Sequence, residues 1–304
     1  SWRAISTQTA VANYAGDLQL GPLVSLSLAV VYAVCLVAPT GFLIARTRWR
    51  ILYVAVPVAS ALPYSIVTTQ KAVFLYASAC VLGSLVSSSI VIHGSAPGLT
   101  TKRVVLAAAA VATVVACFVG LSVLRLGSFS QDNARIGAER VRSYLLFPLP
   151  AFAAWDAGQS AVDSGLKWGA SSVAGFSALS GEDSRGTKAY SDWVVLPEES
   201  QATNVYTMFR NTQEDFGRAG QLGLYFGGGW IVGRMYRRAG SGSTKAGVAI
   251  AFTYALIFMS VAQLMTLYAN VILSFLGAYA FVAHFAAARI RTQAKTQTRA
   301  FSAP

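Results

Sequence analysis

The chain has 304 residues, of which 55% are hydrophobic and only 12% charged, and it carries a formal net charge of +12. Soluble domains hold about 25% charged residues, so a shortfall by half, with a mean hydropathy of +0.52, excludes an ordinary soluble domain. The apolar residues gather into runs of about 20, the length at which a helix crosses a hydrocarbon core. The expected class is all-α: a polytopic membrane protein with about seven transmembrane helices and one long outward-facing loop that holds short helices.

Residues 1–19 are polar and flank the first span. Because the chain starts at Ser1 without the order of a signal peptide, the expectation is a fragment that lacks earlier spans. The first span covers about 20–45 and is closed by Arg46, Arg48 and Arg50. The second, about 51–67, contains Pro57 and Pro63, which membrane helices tolerate. Spans three and four cover about 72–92 and 104–124, with Lys71 before the one and Arg125 at the far end of the other. These make an N-terminal membrane unit, 1–125. Cys35, Cys80 and Cys117 fall inside apolar runs without metal-ligand spacing and read as small buried hydrophobes.

Residues 126–216 form the one long polar region. Its stretch 132–147 has a helical pattern stopped by Pro148 and Pro150, and a second short helix is expected from Pro150. Residues 165–179 set Leu166, Trp168, Val173 and Phe176 among small residues, which suits a helix lying in the interface. The C-terminal membrane unit, 217–288, holds spans at about 216–236, 246–264 and 271–288. A basic tail, 289–304, is expected to be disordered and cytoplasmic.

Charge sets the orientation. With seven spans, the segments 46–50, 93–103, 234–245 and the tail from Arg289 share one side, and they carry Lys and Arg without a single acid. All twelve acids fall on the other side. The positive-inside rule makes the cation-only loops cytoplasmic, so the long loop is outside and the C-terminus inside. The net charge is then a topology signal; the scattered, aromatic-poor cations do not form a nucleic-acid footprint.

The densest chemistry lies in TNVYTMFRNTQEDFGRAG, residues 203–220. With Asn204 as N-cap, Thr207, Arg210, Glu214 and Arg218 fall at steps of three and four residues, on one helical face. The plainer reading is an Arg–Glu–Arg ladder at a helix end; the functional one has Arg210 and Arg218 meeting an anion while Asp215, or else Glu214, accepts a proton. Gly223 to Gly227 and Gly229 to Gly233 have the spacing for close helix packing. Lys71 and Arg125 stand at outward span ends, where they either anchor the interface or join Arg210 around a diphosphate, which needs converging cations. Arg142 and Arg140, on the loop helix, are further candidates. His93 and His284 lie toward cytoplasmic span ends, and the chain has no GxSxG, HExxH or P-loop motif.

The run ATNVYTMFRNTQEDFGRAGQLG resembles a segment of the Wzy-type oligosaccharide repeat-unit polymerases of bacterial O-antigen and exopolysaccharide synthesis, in which an NVYT block precedes a DFG-like block entering a span. TTQK before a span, the Arg of VLRLGS after the next, and SYLLFPLPAF early in the outward loop follow in the same order, over roughly residues 51–288. The chain departs from the pattern in carrying Lys71 where Arg is the expectation, and NTQE before Asp215. The resemblance implies a metal- and cofactor-independent, inverting glycosyltransferase in a bacterial cytoplasmic membrane, which moves a growing glycan from its polyprenyl diphosphate carrier onto a new lipid-linked repeat unit. It carries over to Lys71, Arg125, Asn204, Tyr206, Thr207, Arg210, Asp215 and Gly217. In that scheme Arg125 and Arg210 stabilise the leaving diphosphate, Lys71 supports them, and Tyr144, Tyr206 and Asn204 hold sugar hydroxyls. A chain-length regulator and a flippase are the implied protein partners. The alternatives are an O-antigen ligase-like transferase, a non-enzymatic exporter or flippase, and a structural subunit.

Overall fold

A computed structural model describes residues 22–45, 47–68, 71–98, 100–126, 130–159, 166–170, 172, 174, 176, 194–195, 202–203, 207–261 and 264–301. They are helical almost throughout. Helix α1 (Pro22–Val37) is followed at once by α2 (Pro39–Ile44), because Pro39 brings no N–H to continue the ladder. A 3₁₀ turn, Arg48–Ile51, leads into α3 (Leu52–Thr68), then α4 (Lys71–His93) and α5 (Thr101–Leu126). In the long polar region α6 (Gln131–Leu146) starts at Ser130, whose hydroxyl accepts from the Asn133 N–H, and α7 (Pro148–Gln159) follows immediately. The long polar region also contains one short antiparallel pairing, β1 (Val194–Val195) with β2 (Ala202–Thr203). Helices α8 (Met208–Gly240), α9 (Thr244–Met259) and α10 (Ala269–Phe301) complete the chain. The tail expected to be disordered continues α10 to Phe301; its Ala, Arg, Gln and Lys are good helix formers.

Helix α4 is the centre of the bundle. Tyr32 and Cys35 of α1 pack with Tyr76 and Cys80 of α4 in a fully buried cluster, the two tyrosine rings edge to face with centroids 4.7 Å apart. The Ser84 hydroxyl donates to the Leu36 carbonyl across 2.8 Å, and Thr40 and Ser88 share a hydrogen bond of 2.7 Å, so α1–α2 and α4 run in the same direction. Helix α9 runs the opposite way: Gly83 faces Ala251, and Val91 faces Gly247. A Cβ on Gly83 would sit 2.5 Å from the Ala251 carbonyl oxygen, so only glycine allows this approach. Outside the core, Leu23, Val105, Leu222 and Phe226 are exposed, an apolar exterior that matches hydrocarbon rather than water.

These contacts define two ends. The Lys71 end collects the C-terminal turns of α5, the helices α6 and α7, and the start of α8, whose Met208 N–H donates to the Ser260 carbonyl just beyond α9. The His93 end collects Gly94 against Gly240, the Arg48–Ile51 turn and the start of α5. Among the described residues, Asp132, Glu139, Asp156, Glu214 and Asp215 lie at the Lys71 end, and Arg48, Arg50, Arg237, Arg238 and Lys245 at the other.

By length and composition, four segments among the described residues are able to cross a membrane: Leu23–Ile44, Arg48–Val67, Lys71–His93 and Val104–Val123. Thr244–Met259 and Ala269–Phe285 are apolar but shorter. The GxxxG glycines of α8 do not pack as their spacing implies: Gly223, Gly227, Gly229 and Gly233 face open space.

Candidate functional site

The site grows from a break in α8. The run from Met208 to Gly240 is not one rod, because Gly217 takes φ 66° and ψ 177°, a region that residues with a Cβ essentially do not enter. The arm before it, 208–216, doubles back on the arm after it. Thr212 Oγ1 and Tyr225 Oη are 2.7 Å apart although thirteen residues separate them, a separation of about 20 Å on a straight helix. The N-cap is Thr207, not Asn204: the Thr207 hydroxyl, closed to solvent, accepts from the Phe209 N–H. Asn204 and Tyr206 lie outside the described residues.

On the short arm Arg210 is buried and Glu214 stands one turn away, with Arg210 Nε donating to Glu214 Oε1 across 2.8 Å. The pair expected from the spacing therefore forms. Arg218 does not extend it. The turn at Gly217 swings Arg218 away from Glu214, and it donates instead to Asp156 of α7 across 2.8 Å. The other oxygen of Asp156 accepts from Gln213. Arg218 first, and Gln213 after it, hold the Asp156 carboxyl below the usual carboxylate range. One residue earlier, Trp155 sets its ring 5.1 Å from the Arg210 guanidinium, a cation–π contact.

A turn from the long loop completes this cluster. Residues 166–170, expected within an interfacial helix, are not helical; they are stitched to the end of the short arm. The Lys167 N–H donates to the Glu214 carbonyl and the Trp168 N–H to the Asp215 carbonyl, across 3.1 and 3.0 Å. The Lys167 ammonium donates to the Glu214 oxygen that Arg210 leaves. Trp168 holds φ 49°, an uncommon conformation for so bulky a residue, with its ring exposed. Asp215 is fully enclosed, at 0% exposure. Its Oδ2 accepts from the Ser172 N–H, while the Ser172 carbonyl accepts from Thr266 across 2.7 Å. Asp215 thus pins loop to bundle and has no open path to a substrate, whereas Glu214 lies at the edge of solvent.

A second cluster forms at the same end. Lys71, buried at the first turn of α4, sets its ammonium 4.7 Å from the Phe118 ring of α5 and 5.6 Å from the Tyr144 ring of α6. The two rings meet edge to face at 5.3 Å. Arg142 is exposed on α6. Arg125 occupies the last turn of α5, two turns beyond Phe118. One continuous stretch serves both clusters: α6 brings Tyr144 to Lys71, and α7 brings Trp155 to Arg210.

Sequence reasoning missed Trp155, Asp156, Lys167, Gln213 and Tyr225. For Asp156 a signal existed, since it is the lone acid in PLPAFAAWDAGQ and a charge on an apolar helix needs a partner. For the others the pairing is tertiary and leaves no local mark.

No family model, curated protein or solved structure matches the chain.

Proposed function

We propose that the chain is an inverting membrane glycosyltransferase that joins oligosaccharide repeat units, carried on polyprenyl diphosphate, into a surface polysaccharide at the outer face of a bacterial cytoplasmic membrane. The observation that supports it is placement. Lys71, the turn of α5 that carries Arg125, and the Arg210–Glu214 pair stand at one end of the bundle, where Phe118 and Tyr144 lie against Lys71 and Trp155 lies against Arg210. The opposite end carries cations without acids among the described residues. On this reading the cation-only end is cytoplasmic, and α8, α9 and α10 add the fifth, sixth and seventh crossings to the four apolar ones. Exposed Leu222, Phe226 and Trp230 on the long arm of α8 then face lipid.

The chemistry required is modest because diphosphate is already a good leaving group. The acceptor hydroxyl oxygen bonds to the anomeric carbon on the face opposite the diphosphate, the carbon–oxygen bond to the diphosphate breaks, and its electron pair leaves on that oxygen. Arg210, Arg125 and Lys71 stabilise the growing negative charge, which is the largest contribution such residues make. The hydroxyl proton passes to a carboxylate. Glu214 suits that role better than Asp215, which is enclosed and committed to Ser172. Arg142 and Tyr144 line the approach from α6.

The test is turnover by purified protein in lipid nanodiscs given lipid-linked repeat unit alone. The wild type yields a ladder of lengths. Arg125→Ala and Arg210→Ala, inserted normally, yield unextended units; a full ladder from both ends the proposal. Product only after a different acceptor is added points to the ligase-like transferase.

A further inference from the structure

The Glu214 carboxylate is held by two cations from different parts of the chain: Oε1 takes the hydrogen bond of Arg210 Nε, and Oε2 that of the Lys167 ammonium. Each cation is also held by something other than Glu214's side chain. The Arg210 guanidinium lies against the Trp155 ring. Lys167 is fixed at its backbone, whose N–H donates to the Glu214 main-chain carbonyl, beside the Trp168 N–H bonded to Asp215. If the Glu214 side chain swings out by rotation about its own χ angles, the Arg210 guanidinium keeps its ring contact and the Lys167 backbone keeps its place beside the end of the short arm. The cluster is also reachable from one side, because the Lys167 side chain is 50% exposed while those of Glu214 and Arg210 are 15% and 9% exposed.

We propose that Arg210 and Lys167 together form a two-cation seat for the diphosphate of a lipid carrier, and that Glu214 fills this seat as an internal anion while no carrier is bound. The inference rests on the glycosyltransferase reading for the identity of the carrier, and adds to it a residue and an order of events. A diphosphate offers more negative charge and more acceptor oxygens than a carboxylate, and a guanidinium and an ammonium bind it more tightly for that reason. Its arrival releases Glu214 from both cations. The freed carboxylate then stands beside the bound diphosphate, where an acceptor hydroxyl needs a base. The seat is therefore closed to anions in the resting chain and armed by the substrate itself. An ordinary exposed ion pair makes none of these demands and contributes little.

The two readings differ in the sign of one substitution. Inorganic diphosphate is titrated into purified protein by calorimetry, with wild type compared to Glu214→Gln, Lys167→Ala and Lys167→Arg. An internal competitor predicts that Glu214→Gln binds diphosphate about tenfold tighter, that Lys167→Ala binds it about tenfold weaker, and that Lys167→Arg stays near wild type. Equal or weaker binding by a Glu214→Gln variant that elutes and melts like wild type overturns the proposal, as does unchanged binding by Lys167→Ala. A second arm uses farnesyl diphosphate against farnesol in nanodiscs; diphosphate binding without farnesyl diphosphate binding overturns the assignment to a lipid carrier. Failure here is separable from failure of the polymerase reading. A wild-type ladder from Lys167→Ala removes the seat and leaves the polymerase, whereas tighter binding by Glu214→Gln without any wild-type ladder supports the seat and removes the polymerase.

Discussion

The Gln221 side-chain amide donates to the main-chain carbonyl of Phe209 across 2.8 Å, although twelve residues separate them. That hydrogen bond, the one Gln221 donates to the Thr212 hydroxyl, and the one Thr212 shares with Tyr225 exist because the chain reverses at Gly217. Gly217→Ala places a Cβ in a backbone region that costs about 1–3 kcal/mol, and within 3.4 Å of the Leu166 side chain. We expect a comparable loss of stability and exposure of the short arm to protease. Gly223→Ala, in open space and away from any turn, is the control and melts like wild type.

The clasp between Asp156 and Arg218 titrates. Arg218 and Gln213 hold the Asp156 carboxyl below its ordinary value, near 3.9 for an isolated side chain. A group with a depressed folded-state value contributes its stability fully above the ordinary value and loses it as pH falls through the depressed one. The stability difference between wild type and Asp156→Asn is therefore constant from pH 7 to about 5 and shrinks to nothing in stronger acid. Its size is on the order of 0.2–1 kcal/mol. Melting curves of the two proteins across pH measure it; a difference that grows on acidification contradicts the assignment.

Lys71 meets two aromatic rings, an arrangement that a guanidinium satisfies as well as an ammonium. Lys71→Arg is expected to keep most activity. Lys71→Ala loses a contact of about 1 kcal/mol or more and, on the proposed function, a charge that supports the leaving diphosphate, and we expect turnover to fall at least tenfold. Phe118→Leu falls in between, because it leaves the charge and removes one ring. Rates of ladder formation separate the three.

Gly83→Ala tests the centre of the bundle. The added carbon would lie 2.5 Å from the Ala251 carbonyl oxygen and 3.2 Å from Tyr254 Cβ. Backbone on one side cannot yield, so α4 and α9 must separate, at a cost of about 1–3 kcal/mol. Thermal unfolding in detergent gives the number, and Gly120→Ala, which meets nothing within 4 Å, is the control.

The sequence was readable where a local feature sets local structure. Pro148 ends α6 where the pattern stops, and the third span, expected at 72–92, is Lys71–His93. The Arg210–Glu214 pair follows from its four-residue spacing. The reversal at Gly217 was not readable, because one glycine among the seven between 217 and 233 is the hinge, and only its φ tells it from the others. Arg218 was misassigned for the same reason: helical spacing holds only while the helix does. Lys167 reaches Glu214, and Trp155 reaches Arg210, through the path of the long polar region, which hydropathy does not encode.

The seam between α4 and α9 joins residues that leave the ribosome far apart in time. Gly83 enters the bilayer long before Ala251 has been translated, so the most buried helix must wait with its glycine and serine face uncovered, or covered by lipid or an insertase. Assembly of the site end, which hangs from α8 and the turn beyond α9, is then a late event. Truncations that stop short of residue 260 should leave the early helices inserted yet unlocked, an intermediate that cysteine crosslinking between positions 90 and 250, which share a buried cluster across the same seam, would time.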